Sequence, residues 1–207
     1  MNTDKKQALS VHLKAIRRML IVSVASVAVL FVLFFYLLCG PLVDFVLAPV
    51  RARGIEVITT SVSEALMMQF KVCLIAAVIA GMPVIIWQVW VFVAPALYPQ
   101  EKRLFAALFF VALLLFVGGV VFCYCLVFPM AIDLFWSAAD GVASTLWSVK
   151  EYFNFVLSFV LPFGLMFELP VVVYMLARRG LVTYQKLAHS RKYVILVIAI
   201  IAAILTP

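Results

Sequence analysis

Apolar positions along this chain gather into long runs, separated by short clusters of charge, proline and glycine. Residues 19–38 carry no charge, and their length matches the roughly 20 residues that a helix needs to cross bilayer hydrocarbon. Further runs cover about 72–93, 104–128, 152–177 and 193–207. They are much longer than the roughly 10 residues of a barrel strand, and a helix satisfies its own backbone hydrogen bonds in hydrocarbon. The pattern therefore predicts an all-α integral membrane protein, a polytopic helical bundle with five spans. Pro83 is expected to bend the second span, Gly118 and Gly119 to let the third approach a neighbour closely, and the fourth contains Pro162, Gly164 and Pro170.

The segments between the runs are patterned too. In residues 1–18, Leu9, Leu13 and Ile16 recur at helical spacing and continue into Leu20, with Lys14, Arg17 and Arg18 turned away from them. This predicts an amphipathic helix lying on the membrane surface. Residues 40–70 keep Leu42, Val43, Phe45, Val46 and Leu47, too apolar for a free linker, so short helices forming a cap over the outer ends of the spans are expected. A second outer loop is expected after Pro129, carrying Asp133, Trp136, Asp140, Trp147 and Lys150.

Composition sharpens this picture. The chain is 68% hydrophobic and 12% charged, against roughly 45–50% and 25% in soluble domains. Twelve of its 16 Lys and Arg fall in the N-terminal segment and in the loops at 94–103 and 178–192. The opposite side carries four, together with six acids, which places the N-terminus in the cytoplasm. That asymmetry and anionic lipid head groups account for the net +7, so no nucleic-acid partner is needed. Cys39, Cys73, Cys123 and Cys125 sit at or inside apolar runs and read as small packing residues. Cys123 and Cys125 point to nearly opposite sides of a helix, which argues against a shared metal. His12 and His189 fall at the predicted cytoplasmic surface. We find no phosphate loop, metal-spaced set or nucleophile with a base, so neither an enzyme nor a cofactor is expected. The first apolar run is too long for a cleavable signal peptide.

Two carboxylates stand out. Glu168 lies inside the fourth span, where a charge costs about 2.5–3.5 kcal/mol on insertion scales and marks a functional position by default. Asn154, Ser158 and Glu168 fall on one side of that helix, a polar stripe that calls for a wet cavity or a polar neighbour. Glu101 lies in a loop stiffened by Pro95 and Pro99, beside Lys102 and Arg103. A carboxylate held on a basic face can recognise a guanidinium by paired hydrogen bonds. Trp87, Gln88 and Trp90 read as interface anchors. On the intramembrane carboxylate alone, an ion-coupled small-solute transporter or a purely structural membrane protein also remains open. Two related halves, which a transporter often has, are not visible.

The block Gln88-Val-Trp90-Val-Phe92-Val-Ala-Pro95-Ala-Leu-Tyr98, followed by Glu101-Lys-Arg103, resembles the TatC subunit of the twin-arginine protein translocase. His12-Leu13 with Arg17, then Glu64, Lys71, Phe128-Pro129, Phe163-Gly-Leu-Met-Phe167-Glu168-Leu-Pro170 and Arg191-Lys-Tyr193 through Leu205-Thr-Pro207 extend the likeness over nearly the whole chain. The resemblance implies a six-span, glove-shaped receptor for folded proteins whose signal peptides carry paired arginines. It further implies assembly with single-span TatA- and TatB-type subunits and other TatC copies, driven by the proton-motive force. On this likeness Glu101 meets a signal-peptide arginine, Phe92 and Pro95 shape the loop, and Arg17, Lys102 and Arg103 lie around it. Glu168 would engage a partner helix, with Asn154 and Ser158 on its stripe.

Two departures stand out. The family's His-Leu-x-Glu-Leu-Arg reads His12-Leu13-Lys14-Ala15-Ile16-Arg17 here, so a second acid is missing at Ala15 and Lys14 adds repulsion. A divergent copy with a structural role is the alternative this raises. Secondly, the chain stops at Thr206-Pro207, before the family's sixth span, and a truncation is expected.

Overall fold

The computed structural model describes residues 2–93, 102–139, 146–178 and Leu196, with side chains at 13–91, 106–138, 146–178 and Leu196. Helix α1, Asn2–Leu37, runs unbroken through the charged N-terminal segment and the first apolar run. The separate surface helix expected for residues 1–18 is therefore not what forms: no proline or glycine lies between Asn2 and Leu37 to end it. Helix α2, Cys39–Arg51, follows at once. Pro41 falls in its first turn, where a missing N–H leaves no bond unmade. Gly54, in the left-handed region at φ 69°, turns the chain after α2, with its N–H donating to the Arg51 carbonyl at 3.0 Å.

The segment after α2 was expected to hold only short helices. Instead Val57–Ile58 (β1) pairs in parallel with Trp147–Ser148 (β2), Val57 opposite Trp147 and Ile58 opposite Ser148. Two residues are too few to show an alternating pattern, so the ladder left no mark in the sequence.

Helix α3, Val62–Val93, begins ten residues before the apolar run that announced it. Its start is fixed by Glu64, whose carboxylate accepts from the Thr60 N–H at 2.9 Å and the Thr60 hydroxyl at 2.6 Å. Helix α4, Lys102–Phe122, passes through a π-helical turn, Cys123–Val127, into α5, Phe128–Ala139. The loop expected after Pro129 is thus helical as far as Ala139. The widened turn explains it: Phe128 donates to the carbonyl of Cys123, five residues back, and Pro129 follows in a backbone that has already left the ordinary ladder. Helix α6, Val149–Arg178, contains Pro162 and Pro170 without ending at either.

Among the described residues, four segments are long and apolar enough to cross a membrane: Leu13–Leu37, Val62–Val91, Ala106–Ala138 and Val149–Arg178. The fifth apolar run, 193–207, lies outside the described residues except for Leu196. Helices α1 and α3 are antiparallel, since Gly81 faces Val27 and Leu30 while Phe70 packs on Phe35 at 4.8 Å between ring centroids. Contact between α4 and α6 depends on glycine. A Cβ at Gly119 would lie 2.8 Å from the Phe163 carbonyl, and one at Gly164 2.6 Å from the Phe116 ring.

Among the described residues, most buried side chains fall into two groups. Val50, Val72, Phe128, Ile132 and Phe153 join the cap helix α2 to the bundle. Met82, Ile86, Trp90, Ala112, Phe116 and Val171 join α3, α4 and α6 further along. The cap is also bonded to the spans. Pro49 has no N–H, so the carbonyl of Phe45, four residues earlier in α2, lacks its helical partner, and the Tyr124 hydroxyl donates to it at 2.7 Å. The Tyr152 hydroxyl donates to the Val46 carbonyl at 2.7 Å, and the Arg53 guanidinium grips Asp133 with two bonds of 2.6 and 3.1 Å.

Candidate functional site

The segment from which signal-peptide recognition is expected falls between the end of α3 at Val93 and the start of α4 at Lys102. Glu101, Pro95 and Pro99 lie outside the described residues. Phe92 stands in the last turn of α3, and Lys102 and Arg103 open α4, with their side chains also outside the described set. Arg17 is exposed on α1. The α1–α3 pairing places it at the Val93 end of the bundle. From Val27 to Arg17 is about 15 Å of helix, and from Gly81 to Val93 about 18 Å in the same direction.

The expected tryptophan belt divides. Trp87 is 48% exposed and meets Phe109 edge-on at 5.5 Å, as a surface anchor can. Trp90 is 5% exposed and packs with Met82, Ile86 and Phe116, so it is a core residue and not an interface anchor. Three residues along a helix turn a side chain by about 60° from its neighbour's direction, enough to pass from lipid to the core.

The polar stripe on α6 divides as well. Asn154 and Ser158 lie together on the wall of a cavity of about 430 Å³. Both find partners within the chain: the Lys71 ammonium donates to Asn154 Oδ1 at 2.7 Å, and the Ser158 hydroxyl donates to the Asn154 carbonyl at 2.7 Å. Glu168 is about 15 Å further along α6 and does not line that cavity. Beside it, Phe167 packs onto Gly119 of α4. The oxygen Oε1 of Glu168 is buried and has no hydrogen-bond partner among the described residues. Leaving a buried polar atom unpaired costs about 1–3 kcal/mol, so among the described residues this carboxyl is the one that an uncompensated burial singles out.

Lys71 was not recognised from the sequence as a site residue. Its ammonium ties α3 to α6, and the signal was a charge well inside a spanning helix, hidden because the span was placed one residue after it. Among the described residues no group of three His, Cys, Asp or Glu could hold a metal ion. Cys123 is buried and Cys125 exposed, on the two sides that their spacing indicates.

The protein family described as Sec-independent protein translocase protein (TatC) matches residues 11–207. The TatC of Carboxydothermus hydrogenoformans is 37% identical, covering 99% of this chain and 84% of that protein. The TatC of Haemophilus influenzae is 33% identical, covering 100% and 81%. A crystal structure of the twin arginine translocase receptor TatC matches with a TM-score of 0.87 at 36% identity, covering 95% of this chain and 87% of that one. A likeness that joins sequence, helix order and fold over almost every residue has one meaning: this chain belongs to the TatC family of Sec-independent protein translocase proteins.

Proposed function

We propose that the chain is the receptor subunit of a twin-arginine translocase in a cell inner membrane, with its N-terminus in the cytoplasm. Glu101 receives a signal-peptide arginine at the loop between α3 and α4, framed by Phe92, Pro95, Lys102 and Arg103, with Arg17 at the same end. Glu168 takes up a polar residue of a single-span TatA- or TatB-type helix within the membrane. Further copies of the chain join the assembly, and the proton-motive force drives export of the folded protein. The family match over residues 11–207 carries this conclusion. The unpartnered Oε1 of Glu168 supports the docking role.

Ala15 replaces an acid of the family's motif, so recognition depends on one carboxylate. Losing a charge-assisted bond removes about 1.5–3 kcal/mol, tenfold or more in affinity. The test is binding of a twin-arginine signal peptide, against its twin-lysine form, to the protein in lipid nanodiscs. We expect an arginine preference that disappears with Glu101→Gln. A preference absent in the parent but created by Ala15→Glu would instead assign the receptor role to another subunit.

A further inference from the structure

The cavity beside Asn154 takes no part in the translocation scheme above, and its lining has a distinct chemistry. Its walls are mostly aromatic: Phe135 from α5, Trp147 from β2, and Tyr152, Phe155 and Phe159 from α6. The rings meet at an angle, so they border the space from several directions. Phe135 stands at 84° to Phe155 with centroids 5.5 Å apart, Phe155 at 51° to Phe159, and Trp147 at 41° to Tyr152. The Tyr152 hydroxyl is already committed to the Val46 carbonyl.

One ionisable acid joins these rings. Glu151 lines the cavity, is exposed, and makes no ion pair among the described residues. Ring faces attract cations through their quadrupole, and a carboxylate beside them supplies a full opposing charge. Together they fit an ammonium group. Depth identifies what carries it. Glu151 is in the first turn of α6, and Phe159 lies about 12 Å further into the span. Head groups occupy about 5–7 Å on each side of the hydrocarbon, so the cavity runs from the head-group layer into the acyl layer. A soluble cation would leave the deep half unused.

We propose that this cavity binds one zwitterionic phospholipid of the cap-side leaflet. Its ammonium sits between Glu151 and the ring faces, and its acyl chain follows Phe155 and Phe159. An anionic lipid without an ammonium gains nothing from the rings and is repelled by Glu151.

The test uses the protein in nanodiscs of equimolar phosphatidylethanolamine and phosphatidylglycerol, with retained lipid counted by native mass spectrometry after detergent release. We expect about one tightly held lipid per chain and a fivefold to tenfold enrichment of phosphatidylethanolamine. Glu151→Gln should bring that enrichment below about twofold while signal-peptide binding and the unfolding temperature stay at parent values. Equal retention of both lipids by the parent would mean that only an acyl chain is recognised, and would overturn the proposal. So would an enrichment that survives Glu151→Gln, or displacement of the lipid by soluble phosphoethanolamine. If Glu151→Gln does not fold, the parent's own lipid preference decides.

Discussion

Tyr124 and Tyr152 show how a single hydroxyl can do structural work at a membrane surface. Each donates to a carbonyl of α2, and the carbonyl that Tyr124 reaches is the one Pro49 leaves without a helical N–H. Tyr124→Phe keeps the ring stacked on Phe45 at 4.3 Å and removes only the bond. It should therefore lower the unfolding free energy by about 1–2 kcal/mol, measured by denaturant titration in detergent. Pro49→Ala restores the helical N–H and should reduce the penalty of that change. At Glu168, removing the carboxyl leaves nothing unpaired among the described residues, because Oε1 has no partner there to lose. Glu168→Gln should accordingly leave stability within about 0.5 kcal/mol while weakening recovery of single-span partners on co-purification. Glu168 was legible in the sequence because a charge inside an apolar run is conspicuous. The tyrosine bonds were not, because their acceptors are backbone atoms up to 106 residues away.

At the level of the helix, the apolar runs announced the existence and type of the spanning elements, but not their limits. Hydropathy marks where a helix meets hydrocarbon, whereas the helix itself ends where its backbone bonds stop. Thus α3 starts at a Thr60–Glu64 cap among polar residues, and α5 carries the third span past Pro129 by way of a π-helical turn. Glycine spacing was more informative. Gly119 lies against α6 at a distance that excludes a side chain, while a Cβ at the adjacent Gly118 would meet nothing within 4 Å. Gly119→Ala should destabilise the bundle by about 1–3 kcal/mol, and Gly118→Ala should be nearly neutral or stabilising. Equal melting temperatures for the two variants would contradict the α4–α6 contact.

Across the whole molecule, helix order was open to sequence reading because hydropathy acts over entire segments. Packing at the cap was not, since the β1–β2 ladder and the Arg53–Asp133 pair join parts of the chain that no local pattern connects. The proposed orientation makes a direct prediction. Single cysteines placed at Gln7 and Gln100, in a background with the native cysteines replaced, should react with an impermeant maleimide only after the membrane is opened, and one at Arg53 should react in intact cells. The fastenings at the cap bear on how the molecule could widen to admit a signal peptide. Arg53, Tyr124, Tyr152 and Lys71 all tie separate helices together near α2, as a spring holds the closed end of a clothes-peg. In the proposed receptor, its jaws are then the ends that carry Arg17, Val93 and Lys102. Spin-label distances between positions 17 and 178 should broaden when a signal peptide binds, while those between 53 and 133 stay narrow.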